Sequence, residues 1–240
     1  MIAPEKRGII TPEERLACVL ARLILDPAAP PARHIAVGAA SPIPAAACWL
    51  VRTLGHDVRL SLLHKRTGNP FTEGSRELFD LAGQGRIDLF FLGGGQIDGA
   101  GNINLIGTGE WPGRTTRFPG SFGSAFMYTV VPRTILFREE HSRRVLVPRV
   151  DHVSAAGSPQ ALVTGRCVFR FASRFTLASL HPGESATSVR DNTGFAYESP
   201  PEVPTTPEPS EQELQLLRGP VRVEMLETYP GFCRRVWGEN

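Results

Sequence analysis

Apolar residues recur along this chain first at helical and then at strand-like intervals, and the alternation sets the expected fold. Thr11 is a natural N-cap, with Pro12 at the first helical position and Glu14 at the third, ahead of Leu16, Val19, Leu20, Leu23 and Ile24 on one face. This capping box predicts a helix from about Pro12 to Leu25, ended by Asp26-Pro-Ala-Ala-Pro-Pro. His34 to Gly38 reads as a short buried strand and Ala45 to Leu54 as a compact apolar helix stopped at Gly55. Val58 to Leu63 alternates as a second strand, Glu73 to Ala82 forms a helix stopped at Gly83, and Ile87 to Leu92 is a third strand. That strand is nearly continuous in apolar residues, as strands buried on both faces are.

Helix and strand thus alternate over the first 95 residues, which predicts an α/β fold. The expected architecture is an open, mainly parallel sheet flanked by helices, with ligand loops at the carboxyl ends of the strands. The second half is richer in glycine and more β-rich, with hairpins, loops and strands at Met127 to Val131, Arg144 to Val147, Arg166 to Phe171 and Arg174 to Leu180. Five prolines between Glu198 and Ser210 (Pro200, Pro201, Pro204, Pro207 and Pro209) predict an extended connector. Ser210 then caps a short helix with Glu213 at its third position, and the tail to Asn240 shows no pattern. The expected organisation is one α/β domain over residues 1–197, then a connector, short helix and tail over 198–240.

Composition narrows the function classes. A net charge of +2 gives no argument for nucleic acid or a membrane surface. No stretch approaches a membrane span, and Met1 to Arg15 lacks the apolar run of a signal peptide. Cys18, Cys48, Cys167 and Cys233 are far apart and read as reduced thiols, the first two in the core. A cytoplasmic protein is expected. The histidines are scattered without ligand spacing, so no metal site is expected.

Most of the chemical information lies where the third strand ends, at Gly93-Gly-Gly-Gln-Ile-Asp-Gly-Ala-Gly-Asn-Ile-Asn. Three successive glycines call for unusual backbone angles or close approach of another group. A dinucleotide loop would need a third glycine where Asp98 stands and an amphipathic helix after it, and neither is present. A second small-residue loop, Phe118-Pro-Gly-Ser-Phe-Gly, follows. The two loops read either as plain tight turns or as backbone donors for a thioester oxygen or phosphate.

Gly93-Gly-Gly-Gln-Ile-Asp with Gly101-Asn, then Phe118-Pro-Gly-Ser-Phe-Gly, resembles the β subunits of family I CoA-transferases, the glutaconate CoA-transferase group. Leu180-His-Pro-Gly, Val189 and Thr193-Gly-Phe are similar to the ending of those subunits, and Gly38 to Ala46 to their first loop. The resemblance runs over roughly residues 10 to 220. It implies a partner α subunit, in an αβ or α2β2 assembly, and a site between subunits. It also implies coenzyme A as a group carried on the acyl-CoA substrate. Gly93, Gly94, Gly95, Gln96, Gly120, Ser121 and Gly123 would then face the thioester or CoA.

In the transferases a glutamate after the second strand attacks the thioester, forming an acyl anhydride and releasing CoA, which then attacks the anhydride to give a glutamyl-CoA thioester. Here that stretch is Leu63-His-Lys-Arg-Thr-Gly, without a carboxylate. Glu73 is the next carboxylate and so the catalytic candidate, against the favoured plainer reading of a first-turn glutamate at a helix start. Lys65, with Arg66, is a candidate partner for CoA phosphates, against the plainer reading of an exposed charge run. The ring-opening hydrolases of bacterial steroid degradation resemble these subunits but lack that glutamate and use a carboxylate on their α subunit. A hydrolase of a cyclic acyl-CoA is therefore the alternative, and a non-catalytic structural role is the third reading. His64 reads as a solvated loop histidine and His181 as structural, Asp98 and Asn102 as braces of the glycine loop, and the arginines at 114, 117, 143, 144 and 149 as interface candidates.

Overall fold

The computed structural model describes residues 9–65, 67 and 71–238. Arg66, paired above with CoA phosphates, lies outside them. The chain forms two compact units, Met1–Leu78 with Ile87–Leu89 and Glu208–Asn240, and Phe79–Arg86 with Phe90–Pro207.

The first unit opens with α1 (Pro12–Ile24). Its capping box is present: Glu14 N–H donates to Thr11 Oγ1 at 3.2 Å, and Thr11 N–H to Glu14 Oε2 at 3.0 Å. Strand β1 (His34–Val37), helix α2 (Pro42–Thr53) and β2 (Arg59–Leu62) follow, β1 and β2 being parallel with Ile35 opposite Leu60. Helix α2 begins three residues before the expected Ala45. Pro42 and Pro44 fall in its first turn, where no intrahelical N–H is needed. Helix α3 (Ser75–Gly83) begins two residues after Glu73 and leads to β3 (Leu89–Leu92), whose residues are all buried.

In the second unit β3 runs into two small hairpins, β4 (Gln96–Ile97) with β5 (Ile103–Asn104) and β6 (Gly107–Thr108) with β7 (Thr116–Arg117). Helix α4 (Ser124–Val130) occupies the place where a strand was expected at Met127 to Val131. Its β-favouring residues yield to tertiary context: Met127 and Tyr128 are buried from a helical turn that Met127 N–H closes on Gly123 O. Strands β8 (Arg133–Arg138), β9 (Ala161–Thr164), β10 (Cys167–Phe171) and β11 (Phe175–Leu180) follow. β8 pairs parallel with β9, while β9, β10 and β11 pair antiparallel. Arg144 to Val147, expected as a strand, supplies only a bridge from Leu146 to Ile97. The α/β class and the flanking helices are as expected; the antiparallel strands make the sheet mixed. Phe169, Phe175, Phe195 and Tyr197 pack together in an aromatic cluster, Phe175 and Phe195 stacked and the other pairs tilted or edge-on.

Helix α5 (Ala186–Asn192) precedes the proline-rich stretch, which lies along β11: Leu177 N–H donates to Glu198 O and Leu180 N–H to Pro204 O. In the first unit, α6 (Glu211–Leu216) carries the expected Ser210–Glu213 capping box. The tail, patternless in sequence, is also helical. A π-turn at Leu217–Val221 joins α6 to α7 (Arg222–Leu226), and α8 is Pro230–Trp237. Pro220 has no N–H to continue the regular ladder, which accounts for the wider turn. Arg218 and Trp237 both reach the buried carboxylate of Glu14. All four cysteines are buried free thiols, with Cys18 and Cys48 fully enclosed. No helix among the described residues is long and apolar enough to cross a membrane.

Candidate functional site

The glycine-rich centre is built within the second unit. Gly93 to Gly95 turn the chain out of β3 into β4. A Cβ on Gly94 would meet Gln96 O at 2.6 Å, and one on Gly95 would overlap the Phe118 ring, 2.6 Å from Cδ2. Gly95 is therefore a close-approach glycine, and the group it admits is the first residue of the second small-residue loop. Phe118 N–H donates to Ile106 O at 3.0 Å and Gly120 N–H to Leu105 O at 2.9 Å. Two loops more than twenty residues apart in sequence are thus one structure. Gly123, just before α4, sits directly against the Phe79 ring. Ser121 O accepts from Ser124 N–H at 2.8 Å.

Asp98 braces the hairpin as its sequence position suggests. Its Oδ1 accepts from the N–H groups of Ala100 and Asn102 at 3.0 and 3.1 Å. Its Oδ2 accepts from Asn102 Nδ2 at 3.1 Å and Val150 N–H at 3.3 Å. Gly101 takes the left-handed conformation at φ 80°, and its carbonyl accepts from Tyr128 Oη at 2.9 Å. Burial holds the Tyr128 phenol well above its ordinary range, so it stays a donor.

Gln96 and Asn104 lie opposite each other across the hairpin, both buried. Backbone groups fix which way each amide faces. Asp151 N–H can only donate, and it does so to Gln96 Oε1 at 3.0 Å. Ile106 N–H donates to Asn104 Oδ1 at 2.9 Å, which turns Asn104 Nδ2 toward Gln96 Oε1, 2.7 Å away, and Gly107 O. Among the described residues Gln96 Nε2 has no hydrogen-bond partner, and it is not sealed from solvent. Gln96, the residue after the Gly94–Gly95 turn, thus keeps an amide donor uncommitted among the described residues.

Gly93, Gly94, Gly95, Gln96, Gly120, Ser121 and Gly123 all belong to the second unit, where the Gly95–Phe118 and Leu105–Gly120 contacts join the two loops. Lys65 and Glu73 belong to the first. Lys65 follows β2 with its ammonium 5.5 Å from the centre of the Trp49 ring, and neighbouring His64 stacks on Tyr229 at 5.5 Å. Glu73 is exposed and paired with Arg76 at 3.0 Å. His181 is structural, held between Thr206 Oγ1 at 3.0 Å and Thr164 O at 3.0 Å. Sequence reading missed the segment that carries the hairpin. Besides the Asp151 N–H, Ser154 Oγ accepts from Leu105 N–H at 2.6 Å. Nothing local marks these residues, since their partners are 49 and 55 positions away.

Comparison with known proteins supports the resemblance carried by these loops. The family model described as Coenzyme A transferase matches residues 52–192. The B subunit of the 3-oxoadipate CoA-transferase of Pseudomonas knackmussii is 31% identical over 153 residues, covering 56% of this chain and 58% of that protein. The cholesterol ring-cleaving hydrolase IpdB subunit of Rhodococcus jostii is 32% identical over 160 residues, covering 60% and 62%. The chain therefore matches less than two thirds of the length of either relative. The crystal structure of the decarboxylase AibA/AibB superposes with a TM-score of 0.79 at 26% identity, covering 96% of this chain and 100% of that one. With the family model spanning more than half of its 240 residues, this chain belongs to the coenzyme A transferase family.

Proposed function

We propose that the chain is the β subunit of a heteromeric CoA-transferase-type enzyme acting on acyl-CoA thioesters, paired with an α subunit as αβ or α2β2. In this reading it polarises the thioester carbonyl and does not supply the attacking carboxylate. The observation that carries the reading is the uncommitted Nε2 donor of Gln96, the residue after the Gly94–Gly95 turn, whose Oε1 is held by Asn104 and Asp151. When a nucleophile attacks a thioester, negative charge grows on the carbonyl oxygen. A donor already aimed at that oxygen stabilises it without reorganising at the moment of reaction. Asp151 and Asn104 hold the far side of the amide and so preorganise the near side. A relative named as the B member of its enzyme and a neighbour named as an AibA/AibB pair support the two-subunit assembly.

The carboxylates on this chain fit a supporting role. Asp98 uses both oxygens on the hairpin, and Glu73 is exposed and bound to Arg76. The nucleophile is then the α subunit's. A second reading, hydrolysis of a C–C or thioester bond in a cyclic acyl-CoA, is favoured by the stretch after β2, where Lys65 follows His64 and no carboxylate stands. The 32% identity to a ring-cleaving hydrolase subunit supports it too. The same donor would serve, with water as nucleophile.

Gln96→Glu tests the shared step. One carboxylate oxygen keeps the bonds from Asp151 and Asn104, while the Nε2 donor is lost. In the complex of both subunits kcat should fall by about 10²- to 10³-fold, the usual loss for one oxyanion donor, with the fold intact by circular dichroism. An unchanged kcat would remove the carbonyl-polarising role and leave the chain a scaffold for its partner.

A further inference from the structure

Phe122 combines two features that a surface side chain ordinarily avoids. It is the one non-glycine residue among those described with a left-handed backbone, at φ 38°, and it is 79% exposed. Left-handed geometry is disfavoured for bulky side chains and persists where the surroundings enforce it. They do so here from both sides. Gly120 is hydrogen-bonded to Leu105 O and Ser124 N–H closes on Ser121 O, while Gly123 is pressed against the Phe79 ring. The Phe122 ring rests tilted on Phe79 at 5.7 Å, and Phe126, 41% exposed, meets Phe79 edge-on at 6.0 Å. Three phenyl rings thus form an apolar patch of the kind that marks a binding surface.

We propose that Phe122 is a specificity-determining residue that packs against the acyl group of the substrate and selects apolar acyl chains over short ones. The proposal rests on the acyl-CoA reading above and adds the class of acyl group. Continuity of the loop names the occupant. Phe118, four residues before Phe122, covers Gly95 next to Gln96, so the aromatic patch grows out of the segment that closes on the proposed thioester site. On this proposal an acyl chain leaving a carbonyl at Gln96 follows the loop from Phe118 to the Phe122 ring. The ring fulfils this role only if it is kept out of the core, which the enforced backbone achieves.

The test uses the complex isolated from the native host through a tagged copy of this chain, with acetyl-CoA, hexanoyl-CoA and cyclohexanecarbonyl-CoA as probes. Phe122→Gly removes the ring and relieves the backbone; Phe122→Leu keeps apolar bulk. The expected result is that Phe122→Gly lowers the kcat/KM ratio of cyclohexanecarbonyl-CoA to acetyl-CoA by about tenfold or more, chiefly through KM, and that Phe122→Leu restores part of it. An equal change for all three thioesters, no change, or loss of the partner subunit on purification would each overturn the proposal, the last by making the patch a subunit interface. A wild-type complex that neither binds nor turns over any of the three would instead refute the acyl-CoA reading, and this inference with it.

Discussion

Gly95→Ala probes the junction between the two small-residue loops. The added methyl would lie 2.5 Å from Phe118 Cζ and 2.6 Å from Cδ2, where ordinary contacts begin near 3.4 Å. Phe118 must retreat by about 1 Å, and its backbone cannot follow freely because its N–H is bonded to Ile106 O at 3.0 Å. The ring must rotate out of its rotamer, and overpacking of this kind costs about 1–3 kcal/mol. For a chain of this size that corresponds to a Tm loss of roughly 2–4 °C per kcal/mol. Urea unfolding of wild type, Gly95→Ala, Phe118→Ala and the double variant forms a cycle that isolates the clash. With the ring gone the methyl has room, so the double variant should be little less stable than Phe118→Ala alone. Simple addition of the two single costs would refute the close approach of these loops.

Other consequences follow from buried charge and from burial itself. Glu14 has a side chain only 1% exposed and accepts from Arg218 Nε at 2.6 Å and Trp237 Nε1 at 3.2 Å. Arg218→Met should cost about 3–5 kcal/mol in urea unfolding by stranding that carboxylate, and adding Glu14→Gln should recover part of the loss. His141 is buried between Thr164 Oγ1 and Thr193 Oγ1, and burial holds its pKa down at about 4 against an ordinary 6.5. Between those values the unfolded chain binds the extra proton. Stability should therefore fall by about 3 kcal/mol as pH drops from 6.5 to 4, and His141→Gln should flatten the slope in that window. Burial also pushes the Cys167 thiol up to about 12, so it should react with a thiol reagent at neutral pH only after denaturation.

What could be read from sequence was what local chemistry decides. Thr11 and Glu14, and Ser210 and Glu213, announce helix starts because a capping box is satisfied within four residues. Buried strands such as Leu89 to Leu92 show as apolar runs bounded by turn residues. Helix α4 was missed because its segment carries aromatic and β-branched residues, and only burial of Met127 and Tyr128 decides its form. The tail helices were hidden by Gly219 and Pro220, which interrupt the helical period where the π-turn lies. In the site, glycine runs marked the loops, but nothing local shows that Phe118 closes on Gly95. The orientation of Gln96 likewise depends on a backbone N–H 55 residues away.

The most direct measurement is an assay of the chain purified together with the proposed partner subunit, on a panel of acyl-CoAs with and without acceptor acids. The account predicts turnover by the complex and none by this chain alone. CoA carried to the acceptor would identify a transferase, and free CoA or a ring-opened thioester without acceptor would identify the hydrolase. Turnover by the isolated chain, or no action on any acyl-CoA by the complex, would contradict it.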